Sequence, residues 1–276
     1  MPRPLSSAEL YPSGRVDVSA RYVRISTGVS LRVIESGPPQ GRPVVMLHGW
    51  GASAYMYRHA LELLPPLGVR AIAVDLRGHG LSDKPTGAGS YTLDTYCADL
   101  DALLDTLSLP RVALIGQSMG GGIAVHYALR NPTRVERLVL VSPVGLVPLA
   151  YLHALQLLPR SVVASFGRRL APRSFVEFLL RYVAYGDPAK PTDRDVDEYW
   201  APTQMPGFVP AARLALSEFE WGPLTDGEAE SLSVPRAVIL GTNDHLIRDA
   251  VPAARRLHST EVYSVVAGHS ALEENP

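Results

Sequence analysis

Residues 111–130 read RVALIGQSMGGGIAVHYALR: a short apolar run from Val112 to Ile115, a glycine turn around one serine, then a helical pattern from about Gly121 to Arg130. Alone, Gly116-Gln117-Ser118-Met119-Gly120 is only a G-x-S-x-G match, a pattern that chance supplies easily. The strand-turn-helix setting gives it weight, because a strained elbow of this kind lifts a serine oxygen clear of a sheet edge. Side chains at Gly116 and Gly120 would crowd such a turn, and Gly121 and Gly122 permit close approach of the first helical turn.

On either side of this stretch the pattern repeats. Val44 to Leu47, Ala71 to Val74, Leu138 to Val141 and Ala237 to Leu240 are also short, nearly all-apolar runs, as strands covered on both faces of a parallel sheet require. Leu93, Tyr96, Cys97, Leu100, Leu103, Leu104 and Leu107 recur at helical spacing behind Ser90 or Thr92 as a cap. Strands alternating with helices predict a doubly wound α/β domain, with its ligand crevice beyond the carboxyl ends of the strands. Residues 21–35 (RYVRISTGVSLRVIE) alternate instead around Thr27-Gly28 and predict an N-terminal antiparallel hairpin.

The alternation lapses between Val144 and about Ser231, where 174–183 and 208–219 read as helices with no apolar strand between them. This predicts a mostly helical insertion. Its first half carries Arg160, Arg168, Arg169, Arg173 and Arg181 against Glu177, and the part from Asp187 to Glu230 is acidic. Solvated outer helix faces account for most such charge; a basic, apolar lid is the sharper reading.

Composition removes several classes of function. The 276 residues are 46% hydrophobic and 19% charged, enough apolar material for a large core. A net charge of -1 gives no electrostatic case for nucleic acid. A single cysteine, Cys97 on the apolar stripe, excludes an intramolecular disulfide and a multi-cysteine metal site. The N-terminal MPRPLSSAELYPSGR lacks the apolar run of roughly 7 to 15 residues that a signal peptide needs, which points to a cytoplasmic protein. Leu138 to Pro159 is free of Asp, Glu, Lys and Arg, yet Pro143, Gly145 and Pro148 interrupt it, so no integral membrane span is expected.

A serine hydroxyl becomes a nucleophile only when a base removes its proton and an acid orients that base. Asp244 follows the strand Ala237 to Leu240, and His269 follows the apolar Val262 to Val266, both at the sheet end expected for Ser118. The order Ser, Asp, His suits the elbow architecture. His126 and His258 fall in helical patterns, His59 and His153 lie away from strand ends, and His245 neighbours the acid itself. Asp75 also follows a strand, and Arg77 or a turn amide is its expected partner. An oxyanion needs backbone donors. His48-Gly49-Trp50-Gly51 follows the strand Val44 to Leu47 and offers the Trp50 amide, with the Met119 amide as the second; His48 is expected to brace this loop. Neither Gly49-Trp50-Gly51 nor Gly78-His79-Gly80 extends to a dinucleotide pattern, no phosphate-loop lysine follows Gly116 to Gly122, and no HExxH or EF-hand occurs. No metal or cofactor is expected.

HGWG, DLRGHGLSDKP (Asp75 to Pro85), GQSMGG, GTNDHL and GHSALEENP together resemble the α/β-hydrolase fold superfamily, over Val44 to Pro276. The resemblance implies Ser118 as nucleophile, His269 as base, Asp244 as its orienting acid, and Trp50 and Met119 as oxyanion donors. It also implies a core of residues 1–143 and 232–276, with a helical cap at 144–231. Haloalkane dehalogenases and epoxide hydrolases of the superfamily carry Asp where Ser118 stands, which sets them aside. The members that remain include esterases, lactonases, perhydrolases and carbon-carbon bond hydrolases, esterase being the broadest. The resemblance further implies a final helix after the GHxxxxExP segment; with that sheet face uncovered, the His269 loop would be loosely held.

The expected activity is therefore hydrolysis of a small-to-medium apolar ester or lactone through an acyl-enzyme. Trp50, Val144, Phe178 and Leu246 are the candidate substrate contacts, beside apolar and aromatic cap residues such as Tyr151, Phe166, Phe175 and Tyr182. Perhydrolysis or carbon-carbon hydrolysis by the same triad is the alternative. A ligand-binding protein with vestigial catalysis is the reading from another class.

Overall fold

The computed structural model describes residues 3–149, 152, 171–257 and 260–276. Tyr151, His153, Arg160, Phe166, Arg168, Arg169 and His258 lie outside the described residues. Strands β1 (Val18–Arg24), β2 (Ser30–Ser36), β3 (Arg42–Leu47), β4 (Val69–Val74), β5 (Val112–Gln117), β6 (Val135–Val141), β7 (Arg236–Gly241) and β8 (Thr260–Val265) form one sheet in the order β1-β2-β4-β3-β5-β6-β7-β8. β1 and β2 make the expected hairpin; β2 meets β4 antiparallel, and every pairing from β4 to β8 is parallel.

The strand order locates the crevice. From β3 the chain moves outward to β4, then returns past β3 to β5. The connections leaving β3 and β5 therefore part in opposite directions, the switch point beside which open α/β sheets place their ligand crevice. His48-Gly49-Trp50-Gly51 and the Ser118 turn begin those two connections.

The strands' period of two divides the core. Val45 and Leu47 of β3 join Leu114, Leu138, Leu140 and Val238 on one face, against α2 (Leu93–Thr106) and α3 (Met119–Arg130). Met46 points the other way, to Ile34, Ala73, Tyr57 and Leu61 beside α1 (Ala60–Leu63). Each such fully buried Leu or Val stabilises by about 1.5–3 kcal/mol. Of the two cap candidates for α2, Thr92 is used: its side chain accepts the Thr95 N–H. Cys97 packs on the buried stripe of α2, and burial pushes its thiol up to about 12, which leaves it an inert apolar side chain.

Between β6 and β7 lie α4 (Arg173–Leu179), which runs on through a wide π-type turn at Leu180–Ala184, then α5 (Asp193–Thr203), α6 (Phe208–Glu218) and α7 (Asp226–Ser231). α5 is short and polar, so hydropathy does not announce it. Its signal is local: Thr192 and Asp195 form a capping box. The charge-free stretch starts inside β6 and turns at Gly145, which adopts φ +103°. No described helix is long and apolar enough to cross a membrane.

α5 is fastened to the segments around the sheet by buried charge. Arg58 pairs with Asp195 at 2.9 Å and with Glu273 of α9 (Ala271–Glu274). Tyr55 Oη donates to Asp195 at 2.7 Å, and Tyr199 Oη donates to Glu273 at 2.6 Å. The N-terminal segment adds a strap, the Tyr11 N–H donating to Glu198 at 2.8 Å. Between β7 and β8, α8 (Ala250–Arg256) packs on both strands.

Candidate active site

β5 delivers Ser118 to its carboxyl end, at the switch point of the sheet. Ser118 has φ 52° and ψ -119°, a strained conformation for a side chain with a Cβ. Its surroundings over-determine that geometry. The Ser118 N–H donates to Val141 O at 3.0 Å, and the Ser118 carbonyl accepts the N–H groups of Gly121, Gly122 and Val144 at 2.9, 3.1 and 2.9 Å. Gly120 is required by contact: a Cβ there would sit 2.0 Å from Leu47 O. The turn is thus clamped against the end of β3.

The loop after β3 lies beside the serine. A Cβ on Gly49 would come within 3.0 Å of Ser118 Cβ. His48 braces this loop. Its Nδ1 lies 2.7 Å from Gly49 O and its Nε2 accepts the Leu76 N–H at 2.9 Å, an arrangement that only the neutral Nδ1–H tautomer satisfies. Burial lowers the His48 pKa, in keeping with that neutral form. The N–H groups of Trp50 and Met119 bond to no backbone carbonyl among the described residues, and Met119 opens α3, where the helix dipole is positive.

At the other side, Asp244 and His269 meet. Asp244 Oδ2 lies 2.9 Å from His269 Nδ1, with both side chains nearly buried. Asp244 Oδ1 accepts the Leu246 and Ile247 N–H groups at 2.8 and 2.9 Å. Burial alone would raise the Asp244 pKa; the hydrogen bond and charge of His269, with the loop amide, outweigh it and hold the carboxyl below its usual range. A carboxylate on Nδ1 fixes the proton there and leaves Nε2 as the basic nitrogen.

Gln117 joins the two halves. Its Nε2 donates to the His269 carbonyl at 3.1 Å, and its Oε1 lies where a Gly49 Cβ would stand, at 2.4 Å. The residue before the serine therefore touches both the histidine loop and the loop after β3. The acid and histidine loops are also zipped together, the Thr242 N–H donating to Val265 O and the Asn243 N–H to Ala267 O. The His269 loop is not loose in this structure.

The other expected residues take the following places. Of the two partners expected for Asp75, the amide is used and Arg77 is not: the Asp75 carboxylate takes the Ala54 and Leu81 N–H groups at 2.7 and 2.8 Å and Arg32 at 3.4 Å, while Arg77 forms a fork with Asp99. Arg77 lies over the hairpin side of the sheet, where Asp99 of α2 reaches it first. Trp50 is partly exposed, and its indole N–H donates to Ala212 O of α6 at 2.8 Å. Val144 packs behind the serine turn in the core, and Leu246 is half-buried against the same core. Phe178 is exposed on α4, with its ring 5.4 Å from that of Tyr182. Among the described residues no group of three or more His, Cys, Asp or Glu could hold a metal ion.

Residues 42–276 match the family described as the alpha/beta hydrolase fold. The chain belongs to the α/β-hydrolase fold family. Within it, the chain is 32% identical over 265 residues to the non-heme chloroperoxidase of Streptomyces lividans, covering 92% of this chain and 94% of that protein. Among solved structures this α/β-hydrolase is similar to the epoxide hydrolase CorEH (TM-score 0.77, 25% identity, 94% of each chain). It shares its fold with the esterase EaEST of Exiguobacterium antarcticum (TM-score 0.73, 22% identity, 93% and 94% of the chains).

Proposed function

We propose that this α/β-hydrolase is a serine hydrolase that cleaves a small-to-medium apolar carboxylic ester or lactone through an acyl-enzyme. His269 Nε2 takes the Ser118 proton as the oxygen attacks the carbonyl carbon. The oxyanion is received by the Trp50 and Met119 amides, the alcohol leaves with the proton from His269, and a water activated by His269 releases the acid. The observation that carries this reading is the buried Asp244–His269 hydrogen bond, joined through Gln117 to the strained Ser118 turn.

In this reading residues 144–231 form a cap over the crevice. Trp50, Val144, Phe178 and Leu246 are its proposed substrate contacts, and the Trp50 bond to α6 ties the oxyanion loop to the cap. Ser118 in place of an Asp nucleophile argues against epoxide opening. A second reading has specific support in the relative named a chloroperoxidase: the same acyl-enzyme, attacked by hydrogen peroxide instead of water, would release a peracid.

Stopped-flow mixing with p-nitrophenyl acetate tests the mechanism. The expected result is a burst of nitrophenol equal to the enzyme concentration, since accumulation of an acyl-enzyme is the kinetic mark of covalent catalysis. Peroxide added after the burst separates the two readings, with peracid as product favouring the second. Tight binding of esters with neither burst nor turnover would overturn both and leave a binding protein.

A further inference from the structure

One buried carboxylate in α9 has no part in the proposed chemistry, yet it touches both the histidine loop and the insertion between β6 and β7. Glu274 is nearly buried. Its Oε1 accepts the Gly268 N–H at 2.6 Å and the Gly186 N–H at 2.8 Å, and its Oε2 accepts the Asp187 N–H at 3.1 Å. Gly268 immediately precedes His269; Gly186 and Asp187 follow the π-type turn that ends α4. The Ser270 N–H donates to Ala184 O at 2.9 Å, and Lys190 Nζ donates to the Glu274 backbone carbonyl at 2.5 Å. The two chains pack backbone to backbone, since a Cβ on Gly268 would lie 2.4 Å from Gly186 N.

We propose that Glu274 is a positioning residue: it holds His269 in line for Ser118 and couples that alignment to residues 184–187 of the cap. The inference rests on the serine-hydrolase reading for its kinetic consequence and on the geometry alone for the coupling. A carboxylate accepting three N–H groups from two segments fixes their relative position better than one or two neutral hydrogen bonds would. Misplacing a catalytic base by about 1 Å costs on the order of 100-fold in rate. Movement of the cap at 184–187 would also strip partners from Glu274 and release Gly268, so the base aligns fully only while that segment is seated.

Two substitutions test this. Glu274→Ala removes both oxygens and all three bonds they accept, whereas the isosteric Glu274→Gln keeps one oxygen and turns an amide against an N–H donor. Activity is normalised to the folded, active-site-titrated fraction, and hydrogen exchange is followed in peptides spanning 184–190 and 266–272. The expected result is kcat lower by about 100-fold in Glu274→Ala and about 10-fold in Glu274→Gln, with KM within about twofold. Exchange should quicken in both peptides together, with the rest of the sheet unchanged. Unchanged kcat per titrated site, a rise in KM alone, or exchange that quickens in one peptide only would overturn the proposal. If Glu274→Ala does not fold, Glu274→Gln decides alone. Failure of the hydrolase reading is separately visible, because wild type would then give no active-site titre while the exchange arm still reports the clamp.

Discussion

Ser118→Ala is expected to lower kcat for ester hydrolysis by about a millionfold, with little change in stability. The nucleophile's oxygen is the one atom lost, and no neighbouring group replaces it. The stability half follows from the backbone. Alanine carries the same Cβ as serine, so the strain at φ 52° is the same in both chains, and the bonds that hold the turn use only the Ser118 N–H and C=O. Midpoints should therefore agree within about 0.5 kcal/mol, the usual range for substitutions that break no packing or paired group. Steady-state kinetics with denaturant melts of the same preparations check both halves. Activity within tenfold of wild type would remove Ser118 from the mechanism.

Arg58→Ala has the largest expected effect on stability. Its guanidinium sits between Asp195 and Glu273 and lies 4.4 Å from the centre of the Tyr55 ring. Burial pushes the Glu273 pKa up against the pull of Arg58. Removing the cation leaves two buried carboxylates facing each other, and an uncompensated buried charge costs about 3–5 kcal/mol. For a chain of this size that is a fall in Tm on the order of 10 °C. Combining Arg58→Ala with Glu273→Gln should recover part of the loss, because the second change neutralises one stranded charge. A single mutant that melts within about 2 °C of wild type would show that the cluster is not a structural tie.

Where local pattern determines position, the chain could be read directly. The apolar runs became the parallel strands, Thr27-Gly28 the hairpin turn, and Ser118, Asp244 and His269 each fell just after a strand, because a strand end and its turn residues are visible within a few positions. The roles of these three, and of the Trp50 and Met119 amides, remain the proposal made above. The ties between segments could not be read. Arg58 and Glu273 are 215 residues apart and Gln117 and His269 are 152 apart. Nothing in the immediate sequence of either partner names the other. Glu274 was visible only as one letter of a motif, and its three acceptor bonds depend on where the insertion crosses the sheet edge. For Asp75 the sequence offered Arg77 or a turn amide; the amides of Ala54 and Leu81 take its carboxylate, and Asp99 of α2, more than twenty positions from Arg77, takes the guanidinium, a partner that proximity in sequence could not name.

The central claim is that Ser118 is an activated nucleophile and that His269 activates it. Incubation with a fluorophosphonate, read by intact mass and peptide mapping, tests this without knowledge of the natural ester. The account predicts one adduct, on Ser118, forming at least about 100-fold more slowly in His269→Ala, since a positioned base supplies roughly 10²–10⁴-fold. No adduct on Ser118, or one that forms equally fast without His269, would contradict it.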